Sequence, residues 1–304
     1  MKVVITDCDH PDVTAEQRIF GRAGFEVELA SCRTEGEVIA AGRDAVALLT
    51  QYAPVTAGVL ARLPGCRAVG RYGTGVDNID TAAARARGVA LVSVPDYSLE
   101  EVANHTIALI LALVRGVGRL DAAVRAGRWD FRGAGQLRRA SAQQLGVVGL
   151  GRIGAAVASR AQALGFAVAG YDLITPESGR VRMLPFAELL ATSDVVSLHV
   201  PLGEATRHLL DDAAFALMKP GAVLVNTARG GLVDPVALAR ALDSGRLAGA
   251  ALDVLDPEPP GADHPLLRDE RVIVTPHAAF YSEESLAELK RRVAEGLVTA
   301  LSAG

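Results

Sequence analysis

Short apolar runs recur along the chain, and between them apolar residues return every three or four positions. In the first hundred residues KVVITD, FEVELA, AVALLT, CRAVGRY and VALVSVP have the length and composition of strands. TAEQRIFGRAG and PVTAGVLARL lie between them with helical spacing. Such alternation predicts a parallel sheet covered on both faces, because each crossover lays a helix over it. Residues 99–119, LEEVANHTIALILALVRGVGR, read as one long helix with acidic residues at its start and arginines near its end. WDFRGAGQLRRASAQQ reads as a loop whose arginines, Arg132, Arg138 and Arg139, form a solvated surface. A second series follows. LGVVGL, FAVAGYD, VVSLHVP, AVLVNTA, GAALDV and VIVTPH are six expected strands, with GRIGAAVASRAQAL, MLPFAELLAT, DDAAFALM and DPVALARALDSG as helices. The closing helix, SEESLAELKRRVAEGLVTAL, starts at Ser282 as its cap with Ser285 in its first turn, and is expected to return to the first domain.

Composition narrows the picture. A chain of 304 residues has the length of two domains, each able to bury a core. Its 31 basic and 35 acidic side chains give a formal charge of −4, which does not fit a dedicated nucleic-acid binder. The longest apolar run, Val102 to Val114, is broken by Asn104 and His105 and is too short to span a bilayer. The N-terminus reads as a strand and turn with no signal core, so the expected location is cytoplasmic. Cys8, Cys32 and Cys66 form no CxxC pair, which points to free thiols and to no metal site.

Chemistry begins at Gly149-Leu150-Gly151-Arg152-Ile153-Gly154, a GxGxxG. Alone the pattern is weak, but here it follows a strand and opens a helix. Its glycines allow a tight turn and close backbone approach to a pyrophosphate, and the helix N-terminus presents free N–H groups to that anion. Asp172 ends the next strand, where a carboxylate accepts bonds from both ribose hydroxyls and repels a 2′-phosphate. The expected cofactor is NAD rather than NADP.

Ligands of open α/β sheets bind beyond the carboxyl ends of the strands. One strand there runs into Asn226-Thr227-Ala228-Arg229, another into Asp253 and then Glu258, a third into Thr275-Pro276-His277. Taken singly, each is an ordinary loop residue. Together they fit hydride exchange between a carbinol and NAD. A histidine moves the hydroxyl proton near neutral pH, a carboxylate beside it orients the ring, and a guanidinium grips a substrate carboxylate and polarises the carbonyl.

RYGTGVDNID (71–80), GLGRIG (149–154), HVPL (199–202), NTARGGLVD (226–234), ALDVLDPEP (251–259) and TPHAAFYSEES (275–285) resemble the D-isomer-specific 2-hydroxyacid dehydrogenases over essentially the whole chain. The likeness is strongest to the phosphoglycerate-dehydrogenase-like branch and to the one holding the C-terminal-binding-protein corepressors. It implies an α/β protein of two Rossmann-like domains with parallel sheets. A nucleotide-binding domain, 98–282, is inserted into a smaller flavodoxin-like substrate domain made of 1–97 plus 283–304. The resemblance assigns His277 as acid/base, Glu258 as its orienting partner and Arg229 as the substrate-binding cation. It assigns NAD contacts to Gly149, Gly151, Arg152, Ile153, Gly154, Asp172, His199, Val200, Pro201, Thr206, Thr227, Ala228, Asp253, Thr74 and Phe280. Asp253 matches the position that accepts a bond from the nicotinamide carboxamide. Arg71, Tyr72, Gly73, Thr74 and Gly75 match the loop that holds the substrate carboxylate, and Gln51 and Tyr52 are further candidates to line the pocket. Phe280 stands where the corepressor branch carries tryptophan, so the preferred acid is left open.

The implied activity is NAD-dependent oxidation or reduction of a small 2-hydroxy or 2-keto acid of D configuration. The implied assembly is a homodimer through the 99–140 region. An alternative is an NAD(H)-sensing, peptide-recruiting protein, since the corepressors keep the Arg/Glu/His set. Formate oxidation is not expected, for want of the longer N-terminal extension typical of that branch, and feedback through a C-terminal regulatory domain is not expected from a chain ending at Gly304.

Overall fold

The computed structural model describes residues 1–174 and 181–303. They form two compact units, Met1–Ser98 with the segment from Ser282 onward, and Leu99–Tyr281. In chain order the first unit holds β1 (Lys2–Ile5), α1 (Thr14–Arg22), β2 (Glu26–Leu29), α2 (Glu35–Gly42), β3 (Ala45–Thr50), α3 (Ala57–Arg62), β4 (Ala68–Arg71), α4 (Thr81–Ala86) and β5 (Ala90–Val92). The second holds α5 (Leu99–Val114), α6 (Val117–Arg125), β6 (Gln144–Val148), α7 (Arg152–Ala163), β7 (Ala167–Tyr171), β8 (Arg182–Met183), α8 (Phe186–Thr192), β9 (Val195–Leu198), α9 (Asp212–Leu217), β10 (Ala222–Asn226), α10 (Pro235–Asp243), β11 (Leu247–Leu252) and β12 (Val272–Val274). The last helix, α11 (Glu283–Ser302), rejoins the first unit.

The first unit is a five-stranded parallel sheet in the order β2-β1-β3-β4-β5. Val4, Leu48 and Val69 point to one face and pack with Val38, Val59 and Leu60 of the crossover helices. Helix α11 packs on α1, β4 and β5 and buries Leu289, Val293, Ala294, Leu297 and Leu301. Ser282 caps it: the Ser282 hydroxyl accepts from the Ser285 amide at 2.9 Å, and Ser285 Oγ accepts from the Ser282 amide at 2.9 Å.

The second unit is a parallel sheet in the order β12-β11-β10-β9-β6-β7-β8. Adjacent residues face opposite ways, as strand geometry requires. Val148 and Leu224 join one core with Leu189, Leu198 and Leu238, while Val147 and Val225 join another with Ile110, Val157 and Ala251. Near-continuous Val/Leu/Ala runs are what a strand buried on both faces needs. Because all seven strands run the same way, the segments that follow them open on one edge of the sheet.

Two expectations need correction. The helix expected over 99–119 is broken: α5 stops at Val114, Gly116 turns left-handed (φ 61°), and α6 starts afresh at Val117. The second sheet has seven strands rather than six, the extra one being the two-residue β8 beside β7. Among the described residues no helix is long and apolar enough to cross a membrane.

Candidate active site

At the end of β6 the chain turns through the glycine loop into α7. Gly149 has φ 91°, and a Cβ there would lie 2.7 Å from the carbonyl carbon and oxygen of His199. At Gly154 a Cβ would lie 1.9 Å from the Gly149 carbonyl oxygen, so only glycine lets the helix begin this close to the strand. Gly151, the N-cap of α7, differs, since a Cβ there meets nothing within 4 Å. A side chain is excluded at the two closed positions by the protein itself, and at Gly151 the open side faces outward. The N–H groups of Arg152 and Ile153 in the first turn of α7, with no side chain over them at Gly151, fit a pyrophosphate.

Asp172 follows β7. Its Oδ2 accepts from the Leu150 amide at 2.6 Å and its Oδ1 from the Ile174 amide at 3.1 Å, which fixes the carboxylate against the glycine turn. Past β9, the His199 ring nitrogen Nε2 meets Ser197 Oγ at 2.8 Å, and burial lowers the pKa of the imidazole to about 4, so it is neutral at pH 7. The Val200–Thr206 loop is held by Thr206, whose hydroxyl accepts from the Gly203 amide at 2.8 Å and donates to the Pro201 carbonyl at 2.7 Å.

Past β10, buried Asn226 folds the next turn. Its Oδ1 accepts from the Ala228 amide at 3.0 Å and its Nδ2 donates to the Arg229 carbonyl at 2.8 Å. Thr227 Oγ1 lies 2.8 Å from Thr106 Oγ1 on α5. The Arg229 guanidinium is drawn back along its own backbone by a 2.7 Å bond from Nη1 to the Ala228 carbonyl. The following Gly230 packs against the segment after β11, where a Cβ would lie 2.0 Å from the Leu255 carbonyl. The Arg229 turn and the Glu258 loop therefore touch backbone to backbone.

Glu258 Oε1 accepts from the Leu255 amide at 2.9 Å, and its Oε2 lies 2.6 Å from His277 Nδ1. With a carboxylate as acceptor, Nδ1 carries the proton, and Nε2 on the other side of the ring is the nitrogen left for a substrate. Glu258 and His277 are about one-third exposed as side chains (33% and 30%), so the pair is within reach of solvent and ligand. His277 has φ 51°, a left-handed conformation that costs on the order of 1 kcal/mol for a residue with a Cβ. Asp253 holds it there: its backbone carbonyl accepts from the His277 amide at 2.7 Å, its Oδ1 from the Ala278 amide at 2.8 Å, and its Oδ2 from the Ala279 amide at 2.9 Å. Thr275 Oγ1 donates to the same Oδ1 at 2.6 Å. The Phe280 ring stands edge-on to His277, centroids 6.3 Å apart.

The first unit carries the remaining candidates. Past β4, Gly73 has φ 136°, and a Cβ there would lie 1.6 Å from Arg71 Nη1, so the guanidinium folds over the bare glycine. Thr74 Oγ1 meets the Val94 carbonyl at 3.4 Å. Tyr72 is buried and donates to Glu16 Oε1 at 2.7 Å; desolvation and the Glu16 charge push the phenol far up. Gln51 is buried and bonded to Asp9, while the Tyr52 hydroxyl donates to Asp9 Oδ2 at 3.0 Å with its pKa raised to about 12 by desolvation and that carboxylate. Cys8, Cys32 and Cys66 are free.

In the sequence Asn226 and Thr275 stand only as strand-end neighbours of Arg229 and His277 with no role assigned, and His105 and Thr106 are no site candidates at all. These are the residues that hold the Arg229 and His277 turns. Polar side chains at strand ends and on the apolar helix beside them were the available signal.

Residues 107–279 match the NAD binding domain of the D-isomer specific 2-hydroxyacid dehydrogenases. The chain is 40% identical over 304 residues to the D-3-phosphoglycerate dehydrogenase of Methanocaldococcus jannaschii, covering 97% of this chain and 56% of that one. It is 41% identical over 260 residues to the glyoxylate reductase of Korarchaeum cryptofilum, covering 83% of this chain and 78% of that one. The chain spans about half the length of the phosphoglycerate dehydrogenases it matches. Among solved structures, the TT0316 protein of Thermus thermophilus is similar at a TM-score of 0.91 and 37% identity, covering 100% of this chain and 97% of that one. The D-lactate dehydrogenase of Aquifex aeolicus, solved with NAD and lactic acid, is similar at 0.87 and 30%, covering 99% and 94%.

Proposed function

We infer the function from one premise: the chain belongs to the D-isomer-specific 2-hydroxyacid dehydrogenase family. We propose that it is an NAD-dependent oxidoreductase interconverting a small 2-keto acid and its D-2-hydroxy acid. The observation that carries this reading is the Glu258–His277 pair, 2.6 Å apart, in the unit that bears the glycine cradle. The NAD-binding residues are Gly149 to Gly154, with Asp172 set to bond the ribose hydroxyls and disfavour NADP.

The bound cofactor would supply hydride exchange at the substrate's second carbon. In the reductive direction His277 Nε2 gives a proton to the carbonyl oxygen; in the oxidative direction it takes the hydroxyl proton. Glu258 keeps the ring turned with Nδ1–H toward itself and Nε2 toward the substrate. Arg229 attracts the substrate carboxylate and polarises the carbonyl, with Asn226 fixing its turn. In the first unit the Arg71–Gly75 loop is assigned to the carboxylate, through its backbone N–H groups and the Arg71 guanidinium that lies over Gly73. Phe280 beside His277 bounds the substrate's side chain.

The test is NADH and NADPH oxidation, followed by absorbance, with glyoxylate, hydroxypyruvate, phosphohydroxypyruvate and pyruvate. At least one acid is expected to be reduced, faster with NADH. His277→Asn should lower kcat about a thousandfold with NADH affinity retained. No turnover with any acid, or full turnover in both His277→Asn and Arg229→Gln, would end the proposal.

A further inference from the structure

Helix α5 lies over β10 and β11 and buries Val102, Ala103, Thr106, Leu109 and Ile110 against the sheet. Two neighbouring residues on it, His105 and Thr106, reach polar groups beyond the strand ends. Thr106 meets Thr227, two residues before Arg229. His105 Nε2 lies 3.1 Å from Thr275 Oγ1, two residues before His277, and 3.7 Å from Asp253 Oδ1. Arg160 Nε donates to Asn104 Oδ1 at 2.8 Å, tying this part of α5 to α7.

The protons in this chain can be assigned by accounting. The Thr275 hydroxyl has one hydrogen, and it is donated to Asp253 Oδ1 at 2.6 Å. The oxygen facing His105 can therefore only accept, so Nε2 of His105 carries a hydrogen. The result is a one-way relay: His105 Nε2–H to Thr275, Thr275 O–H to Asp253, with the Ala278 and Ala279 amides filling the same carboxylate. Each donor in such a chain polarises the next, and the anion at its end is nearly solvent-free, since Asp253 is 2% exposed. That carboxylate clamps the turn in which His277 is held left-handed.

We propose that His105 is a positioning residue, whose Nε2–H, passed through Thr275 to Asp253, sets the turn that aims the His277 ring. The proposal rests on the oxidoreductase reading for its catalytic consequence, but its structural part does not. It assigns to α5 a share in aligning the proton-transfer group. Glutamine can replace His105 in this role, because its amide Nε2 donates from nearly the same place. Leucine cannot.

The test has a catalytic and a spectroscopic arm. With the keto acid that the wild type turns over, His105→Leu should lower kcat about tenfold, with KM and NADH affinity within about twofold. His105→Gln should restore most of that loss. Thr275→Val should cost at least as much, and His105→Leu added to it nothing further, because the relay is already cut. Equal loss in the Leu and Gln variants, a loss seen in NADH affinity instead, or additive effects would overturn the proposal. In the spectroscopic arm, ¹⁵N-histidine spectra of the free protein should show an Nε2–H form for His105. The His277 ring signals, identified through His277→Asn, should move in His105→Leu and stay in His105→Gln. An Nδ1–H form, or unmoved His277 signals, would overturn it too. This arm decides alone if no keto acid is reduced, an outcome that would fail the oxidoreductase reading and not the relay.

Discussion

A histidine ring desolvated beside a hydroxyl, as His199 is beside Ser197, binds a proton poorly. Its pKa falls from 6.5 to about 4 through burial, while in the unfolded chain it keeps the ordinary value. Between those two pH values the unfolded state holds a proton that the folded state lacks, so acid favours unfolding. His199 should therefore contribute its full share of stability above pH 6.5 and lose up to about 3 kcal/mol of it by pH 4. Asp194 and Asp234, whose pKa values are lowered by their hydrogen bonds, add losses at lower pH still. Urea midpoints at a series of pH values, compared between wild type and His199→Gln, isolate the histidine. A gap that narrows between pH 7 and 4 is expected, and parallel curves would refute it. At this scale the sequence was only partly readable. The types Arg229, Glu258 and His277 stand out because strand ends collect them. The use of Asp253 does not, because its partners Thr275, Ala278 and Ala279 are more than twenty residues away and meet it only after β11 and β12 pair. The clamp of Asp253 on the His277 turn is a duty that only the fold displays.

The loops after β10 and β11 are kept in register by one missing methyl group. A Cβ on Gly230 would fall 2.0 Å from the Leu255 carbonyl and 2.6 Å from the Asp256 amide, neither of which can move without moving the Leu255 amide that Glu258 accepts. Gly230→Ala should separate the Arg229 and Glu258 loops, lower kcat about a hundredfold and cost about 1–3 kcal/mol in stability. Gly21→Ala is the matched control. It lies in α1 with nothing within 4 Å of its Cβ, so the change should leave kcat alone and raise stability by about 0.5–1 kcal/mol. Steady-state kinetics and thermal unfolding of the two variants check this, and a Gly230→Ala enzyme with wild-type kcat would contradict the packing argument. Periodicity and caps made most elements legible, down to the Ser282 start of α11. The break in the 99–119 helix was not, since apolar spacing runs on across Gly116 and only its left-handed backbone interrupts the hydrogen bonds. β8 escaped because two residues on a sheet edge leave no periodic trace.

The two units differ in how their chain is arranged, and that difference predicts how they fold. Leu99–Tyr281 is continuous and owns both faces of its sheet, with cores built from its own helices. Met1–Ser98 is incomplete without α11. Leu297 packs so closely over β4 that a Cβ on Gly70 would lie 2.7 Å from its Cδ1, and Leu289, Val293 and Leu301 are buried on the same helix. Lys290, on that helix, donates to the Asp12 carbonyl at 2.6 Å and faces the buried Glu16 carboxylate at 3.7 Å. Without α11, residues 1–98 expose that apolar face and lose Lys290 from beside the Glu16 carboxylate, which together are worth several kcal/mol against a total of about 5–15. A fragment of residues 1–98 should lack a cooperative unfolding transition, and a fragment in which residues 282–303 are joined to it by a flexible linker should regain one. A fragment of residues 99–281 should fold unaided and bind NADH, read by nucleotide fluorescence, because the glycine cradle and Asp172 both lie within it. Cooperative unfolding of residues 1–98 alone would show that α11 is an accessory to that sheet and not one of its two halves.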